Sequence, residues 1–272
     1  MRQLFLISGV CFLLSCQSQS DIKLINPTGK TIEERFSTPE GFKRKNSKAG
    51  SFDSYLKTLP LKPHGEKVHE HDGDLKLPDD VYEAVLNIDV GTKDLQQCAD
   101  AVMRLRAEYL FSTKQFDQIH FNFTNGNTAY YEKYAEGYRF SPKTNAWVKT
   151  AKEDKSYKAF REYMDLVFNY AGSLSLSHEL KSVEVNDIKP GDVFIKGGSP
   201  GHAVIVVDVA ENLKTDEKVF MIAQSYMPAQ DIHVLKNISE GKNSPWYSTN
   251  FGPYLKTPEW TFTRAQLMRF KD

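Results

Sequence analysis

The chain has 272 residues, of which 40% are hydrophobic, 26% charged and 12% aromatic. This composition excludes disorder over most of its length, because the apolar side chains suffice for a substantial core. Its 35 basic and 35 acidic residues give a formal net charge of +0, so we expect no nucleic-acid partner, which would select an excess of Lys and Arg. The three cysteines are too few for a disulfide scaffold, and each needs its own explanation.

The first residues have the pattern of an export signal. Arg2 precedes an apolar run over residues 4–14, which is typical of a secretory signal and too short to cross a bilayer. Residues 13–16 read Leu-Leu-Ser-Cys and resemble a bacterial lipobox, in which the cysteine is lipidated after cleavage. We expect a signal peptide over 1–15 and a lipid anchor on Cys16, which places the protein in a bacterial cell envelope, on the periplasmic or surface side. A plain secretory peptide is the alternative.

The chain after the signal begins with two segments that lack a regular period. Residues 16–53 are polar and contain prolines and glycines, which predicts a tether and lead-in. Residues 54–272 are expected to form one domain that begins with a surface loop or arm over 54–80. This arm holds a polar cluster that suggests a metal site: His64, His69, Glu70, His71, Asp72 and Asp74. Nothing fixes their geometry, so we expect a solvated loop, with no metal and no cofactor.

Patterned elements follow the arm. Apolar residues at three- and four-residue spacings predict an amphipathic helix, and they are Leu95, Cys98, Val102, Leu105 and Tyr109. This helix begins after Thr92, after Asp94 or near Cys98 itself. Further elements are a strand over 118–124 with a turn at 125–126, a helix over 157–171 ended by Gly172, and strands over 192–196, 203–209, 219–224 and 232–235. The tail over 244–262 is expected to pack irregularly. Helices followed by an antiparallel sheet indicate an α+β fold.

Cys98 is the one thiol left once Cys11 has gone with the signal and Cys16 carries lipid. A helix start favours the thiolate, which is the nucleophilic form, although a lone cysteine is also a common inert core residue. His202 follows a glycine-rich turn and opens an apolar strand, so it is expected at the rim of the sheet. The next strand brings Gln224, or Tyr226 by parity, beside it. A glutamine oxygen there fixes the imidazole tautomer.

The order of these motifs resembles that of the papain-like amidases of the NlpC/P60 and CHAP type, which cleave bacterial cell-wall peptides. Residues 97–102 match the nucleophile helix, residues 201–205 the strand that carries the base, and Gln224 the polar third member. Over almost its full length the chain is also similar to a group of bacterial lipoproteins known only as a domain of unknown function.

The resemblance implies a single papain-like (NlpC/P60-like) α+β domain, with an N-terminal nucleophile helix, an antiparallel sheet and a helical insertion over about 114–186. It implies a thiol amidase or peptidase that acts on peptide amide bonds, with peptidoglycan as the expected substrate. Cys98 is then the nucleophile, His202 the base and Gln224 the residue that orients the imidazole. The alternative is a non-catalytic binding lipoprotein on the same scaffold, with the aromatic segment 130–140 or the tail around Trp246 as its contact surface.

Overall fold

The structure is a computed structural model that describes residues 24–239 and 244–271. The expected signal peptide 1–15 and the expected lipid attachment site Cys16 lie outside these residues. The helices are α1 (Ile32–Arg35), α2 (Phe52–Lys57), α3 (Cys98–Ser112), α4 (Tyr131–Ala135), α5 (Tyr157–Tyr170) and α6 (Ser173–Glu179). None of the helices in the described ranges is long and apolar enough to cross a membrane.

The strands number fifteen in the described part of the chain. They are β1 (Phe42–Arg44), β2 (Tyr82–Val85), β3 (His120–Asn122), β4 (Thr128–Tyr130), β5 (Tyr138–Ser141), β6 (Ala146–Lys149), β7 (Leu180–Ser182), β8 (Val193–Lys196), β9 (His202–Asn212), β10 (Lys218–Gln224), β11 (His233–Leu235), β12 (Tyr247–Ser248), β13 (Tyr254–Lys256), β14 (Thr261–Thr263) and β15 (Leu267–Phe270). Three short 3₁₀ turns, at Phe116–Gln118, Val185–Asp187 and Arg264–Gln266, complete the set.

An antiparallel sheet forms the centre of the described residues. Its order is β2-β11-β10-β9-β8-β15-β7, with β1 beside β9 and β12 beside β10, and every strand pair is antiparallel. Strand β9 is 11 residues long and pairs with β8, β10 and β1. The predicted α+β class with an antiparallel sheet is confirmed, and the sheet is built around the strand that His202 opens.

The two faces of the sheet belong to different cores, because side chains along a strand alternate. Ala203 and Ile205 face the larger core, which includes buried residues of α3 and α5. Val204 and Val206 face a smaller core that includes Leu255 of β13, together with residues of β14 and β15. His202 has the parity of Val204, so it lies on the face covered by the C-terminal segment.

Part of the segment predicted as a tether over 16–53 is packed on the domain. Ile32 and Phe36 are fully buried, β1 pairs with the end of β9, and the guanidinium Nε of Arg44 lies 2.6 Å from Asp208 Oδ2. The folded unit therefore starts well before the predicted boundary. One helical turn and a three-residue strand are too short to give a readable period, which is why the sequence pattern misses them.

The arm, defined here as residues 58–80, is docked along the chain that connects β10 to β11. The His71 amide donates to the Ala229 carbonyl at 2.8 Å, and the Asp231 amide donates to the His69 carbonyl at 2.9 Å. The described residues contain no group of three or more His, Cys, Asp or Glu side chains that could hold a metal ion. Backbone hydrogen bonds and the ion pair between Lys62 Nζ and Asp231 Oδ2, at 2.7 Å, thus hold the arm in place.

The insertion and the tail are more ordered than predicted. The insertion expected to be helical contains two hairpins, β3–β4 and β5–β6, beside its helices. Gly172 has a φ of −179° and precedes α6 directly, so it does not end α5 as a left-handed cap. In the tail, β13 pairs with β14, and β15 enters the central sheet between β8 and β7.

Candidate active site

Cys98 is the first residue of α3, and Gln97 is its N-cap. The Gln97 backbone amide donates to Asp100 Oδ2 at 3.1 Å, and this hydrogen bond caps the N-terminus of the helix. Of the three predicted starts, the one nearest Cys98 is therefore correct. This position sets the thiol, which is free and partly buried, among first-turn amides that lack partners within the helix. Such amides and the helix dipole favour an anion.

His202 is the first residue of β9 and is 2% exposed. Its Nε2 lies 2.8 Å from Gln224 Oε1. An amide oxygen only accepts, so Nε2 carries the proton and Nδ1 is the nitrogen that remains to accept one. The ring of Tyr226 packs against the imidazole with 5.1 Å between ring centroids. Of the two candidates predicted beside His202, Gln224 makes the hydrogen bond and Tyr226 makes the aromatic contact.

The register of β9 and β10 explains why both candidates reach the imidazole. Ala223 pairs with Ile205 after an irregularity that follows Met221. This register sets Gln224 opposite Val204, on the same face as His202 and two residues along the strand. Diagonal neighbours at that spacing lie within reach of a long side chain. The Gln224 amide spans this diagonal.

Cys98 and His202 line one cleft of about 400 Å³. Five segments form its walls: the chain before α3, the end of α5 with the start of α6, the glycine-rich turn, the connection after β10, and the C-terminal segment. The lining residues include Leu95, Phe168, Ala171, Gly172, Ser173, Gly198, Gly201, Tyr226, Met227 and Trp260. The backbone amide of Ala203 lies close enough to the Cys98 sulfur to lower the pKa of the thiol. The sulfur therefore lies beside the residue that directly follows the imidazole.

Burial dominates the electrostatics of this pair. It raises the pKa of the Cys98 thiol to about 11, against the backbone amides, that of Ala203 foremost, which favour the thiolate. Burial also lowers the pKa of His202 to about 4, against the hydrogen bond to Gln224, which raises it. At neutral pH the resting groups are therefore a protonated thiol and a neutral imidazole, which is the protonation state of a base ready to take a proton.

Sequence patterns did not single out three further side chains at this site. The Trp260 ring lies 5.2 Å from that of His202 between centroids. Glu259 Oε2 lies 2.6 Å from Gln224 Nε2, and Lys76 Nζ lies 2.6 Å from Glu259 Oε1. Lys76 comes from the arm and the other two from the β13–β14 turn. No local period connects such distant segments.

The contact surfaces proposed for a binding protein are largely buried. Tyr131, Tyr134 and Phe140 belong to the main core, and Trp246 is 3% exposed. Tyr130 is 49% exposed, and Tyr138 is half-buried. Most aromatic residues of the segment 130–140, together with Trp246, therefore pack the domain.

Comparison with known proteins gives a family. A family model described as a domain of unknown function (4846) matches residues 32–269. The chain belongs to this family. The match runs from α1 into β15 and so includes the arm, the cleft and the β13–β14 turn. No curated protein and no solved structure matches the chain.

Gly201, directly before His202, has no room for a side chain. A Cβ on Gly201 would lie 2.4 Å from the Gly198 carbonyl oxygen and 2.3 Å from Ser173 Oγ. We expect Gly201→Ala to lower the free energy of unfolding by about 1–3 kcal/mol, because the backbone in front of the imidazole must move. Urea unfolding measures this change.

Gly172→Ala is the matched control on the same cleft. A Cβ there meets nothing within 4 Å, and the backbone is extended with φ −179°. The substitution replaces the N-cap glycine of α6, so we expect the free energy of unfolding to fall by less than about 1 kcal/mol. Equal losses for the two variants would contradict the steric account of Gly201.

Proposed function

We propose that the protein is a cell-envelope lipoprotein that hydrolyses peptide amide bonds with the Cys98 thiol, acting on the stem peptides of peptidoglycan. The observation that supports this most is the 2.8 Å bond between His202 Nε2 and Gln224 Oε1 in a cleft that also contains a thiol at a helix start. A nucleophile, a base and a group that orients the base are the components of covalent acyl transfer.

The proposed reaction has two steps. Cys98 Sγ attacks the carbonyl carbon of the scissile amide while His202 Nδ1 takes the thiol proton. The C–N bond then breaks, the imidazolium gives this proton to the leaving amine, and a thioester on Cys98 remains. In the second step His202 takes a proton from water as the water oxygen attacks the thioester. Breakdown returns the proton to sulfur and releases the acid.

The start of α3 supplies the charge stabilisation that this reaction needs. Negative charge develops on the substrate oxygen in both steps. The Cys98 amide belongs to the first helical turn, where N–H groups lack partners within the helix and the dipole favours an anion. We propose that this amide donates to the oxyanion.

Several features support a papain-like arrangement and a peptide substrate. The nucleophile helix α3 packs against β9 of the antiparallel sheet, and the base lies on β9 with its partner on β10. The cleft volume of about 400 Å³ lies within the range of ligand sites. The predicted lipobox at residues 13–16 would hold the protein at a membrane, within reach of the cell wall.

Digestion of purified peptidoglycan tests this function. The full-length protein in detergent is incubated with peptidoglycan, and new amino groups and fragment masses are followed over time. We expect new amines from cut stem peptides and no new reducing sugar ends. Fragments identical to those of a sample without protein would contradict the proposal, and co-sedimentation of intact protein with peptidoglycan in that case would favour the binding alternative.

The acid limb of the pH profile reports on His202. The base must be neutral to take the thiol proton, and burial lowers its pKa from 6.5 to about 4. Lowering the pH through neutral values therefore leaves the imidazole neutral, and kcat/KM is expected to fall only in acid, with a midpoint well below 6.5. Initial rates on a soluble stem peptide between about pH 3.5 and about pH 8 give the profile. A midpoint at or above 6.5 would contradict a buried, neutral base.

A further inference from the structure

We infer that Lys76 and Glu259 are positioning residues, which fix the amide of Gln224 and thereby the tautomer of His202. The catalytic consequence rests on the proposed function, whereas the tautomer is a property of the folded protein that is measured without substrate. A chain of polar contacts runs from Lys76 of the arm through Glu259 and Gln224 to the imidazole.

The carboxylate of Glu259 determines which way the Gln224 amide points. Glu259 Oε2 lies 2.6 Å from Gln224 Nε2, and an ionised carboxylate accepts hydrogen bonds without donating any. The reversed amide would set two acceptor oxygens against each other at this distance, in a place where Gln224 is fully buried. The amide nitrogen therefore faces Glu259, and the amide oxygen faces His202.

His233 adds a weaker constraint in the same direction. Its Nδ1 lies 2.9 Å from the Asp231 carbonyl oxygen and must donate to it, which leaves Nε2 as an acceptor because the buried ring is neutral at physiological pH. That Nε2 lies 3.4 Å from Gln224 Nε2, at the outer limit of a hydrogen bond. A reversed amide would present an oxygen to this lone pair as well.

Lys76 makes a buried carboxylate at this position tolerable. Its Nζ lies 2.6 Å from Glu259 Oε1, and the side chains of Lys76 and Glu259 are 3% and 12% exposed. Removing a partner from such a pair leaves an uncompensated buried charge. The ammonium also lies 5.1 Å from the centre of the Tyr226 ring. The ion pair thus stands directly behind the residues that contact the imidazole.

Both members of the pair are held by backbone structure. The Lys76 amide donates to the Val68 carbonyl at 3.0 Å within the arm, and the arm is docked along residues 229–231. Glu259 lies in the β13–β14 turn, where the Thr257 amide donates to the Trp260 carbonyl at 2.9 Å. The same turn therefore places Glu259 in contact with Gln224 and Trp260 in contact with the His202 ring.

The consequence is a single tautomer of His202, with the proton on Nε2 and the lone pair on Nδ1. Without the carboxylate, the Gln224 amide is free to turn: its oxygen then accepts a hydrogen bond from a protonated Nε2, or its NH2 group donates one to an unprotonated Nε2. A His202 population with its proton on Nδ1 cannot take the thiol proton there. The ion pair therefore contributes to the rate although Gln224 separates it from the imidazole along the hydrogen-bond chain.

The test compares the double variant Lys76→Met/Glu259→Gln with the wild-type protein. Changing both partners avoids a lone buried charge. Nitrogen NMR of full-length protein with ¹⁵N-labelled histidines reports the tautomer at neutral pH. The signals of His202 are identified as those that disappear from the spectrum of His202→Gln. We expect only the Nε2–H form in the wild type and a second form in the double variant. We also expect kcat on a soluble stem peptide to fall about tenfold to a hundredfold, part of the general-base contribution, with KM little changed.

Arg44→Met/Asp208→Asn is the matched control. This control removes another largely buried ion pair, in which Asp208 is fully buried and Arg44 is 20% exposed. Asp208 lies on β9, the strand that His202 opens, and neither residue lines the cleft. We expect this control to lose stability in a thermal melt, to keep the wild-type His202 tautomer and to keep the wild-type kcat.

Two results would overturn the inference. One is a wild-type His202 that carries its proton on Nδ1. The other is a double variant that unfolds cooperatively and keeps both the single tautomer and the wild-type kcat; Glu259→Gln alone gives the same readouts if the double variant does not fold. A wild-type protein that shows the expected tautomer and no hydrolysis would contradict the proposed function and leave the positioning role intact.

Discussion

Replacing Cys98 with alanine is expected to abolish hydrolysis, with kcat lowered by at least about 10³-fold, because no other group in the cleft can form the thioester. The measurement is the release of new amines from a soluble stem peptide by the purified variant. The side chain is partly buried at the start of α3 and lines the cleft, so we expect the melting temperature to change little. A lost activity is then a loss of chemistry and not of fold.

Cys98→Ser is the matched variant for this prediction. It keeps a nucleophilic atom of similar size in the same place, and the neutral imidazole of His202 remains available to take its proton. We expect a residual rate above that of Cys98→Ala and far below that of the wild type. Activity of Cys98→Ala above about one hundredth of the wild-type rate would contradict the nucleophile assignment.

Replacing His202 with glutamine is expected to lower kcat by about 10²–10⁴-fold, the contribution of a general base. Glutamine keeps a polar side chain against Gln224 and fills much of the space beside Trp260, yet it cannot accept the thiol proton. The rate is measured on the same soluble peptide, with a thermal melt to verify the fold. His64→Gln, on the exposed part of the arm, controls for the loss of an imidazole. A His202→Gln rate within about twofold of the His64→Gln rate would contradict the role of the base.

The parts of the fold that could be predicted are those with long local patterns. Three elements are long enough for their apolar period to be recognised in the sequence. They are α3, which begins at Cys98, strand β9, which begins at His202, and strand β10, which ends at Gln224. The turn between the two strands is short, which limits the residues that can lie opposite His202. Sequence reasoning therefore reached Gln224 and Tyr226, and both contact the imidazole.

The parts that could not be predicted depend on contacts between distant segments. Strand β15 is four residues long and enters the sheet between β8 and β7, which no local pattern indicates. The arm reads as a solvated loop because its side chains are polar, whereas it is docked by backbone hydrogen bonds and by ion pairs with distant segments, which no local pattern indicates. Lys76 and Glu259 are ordinary charged residues until these segments bring them to Gln224.

The protonation states were also inaccessible from sequence. A helix start predicts a thiol with a lowered pKa, since the dipole and the amides favour the anion. In the structure burial outweighs these groups and raises the pKa of Cys98 to about 11. Burial depends on the walls of the cleft, which come from α5, the glycine-rich turn and the C-terminal segment. We therefore propose that His202 activates the thiol at the moment of attack, in place of a resting thiolate.

The most direct test of the central claim is covalent trapping of Cys98 by a stem peptide that carries an electrophile at the scissile position. Intact mass and peptide mapping of the full-length protein at pH 7 locate the adduct, and the labelling rate is compared between the wild type and His202→Gln. The account predicts one adduct per chain, on Cys98, absent in Cys98→Ala and formed at least about tenfold more slowly in His202→Gln. Labelling of Cys98 at the same rate with and without the imidazole, or an adduct that forms elsewhere, would contradict it.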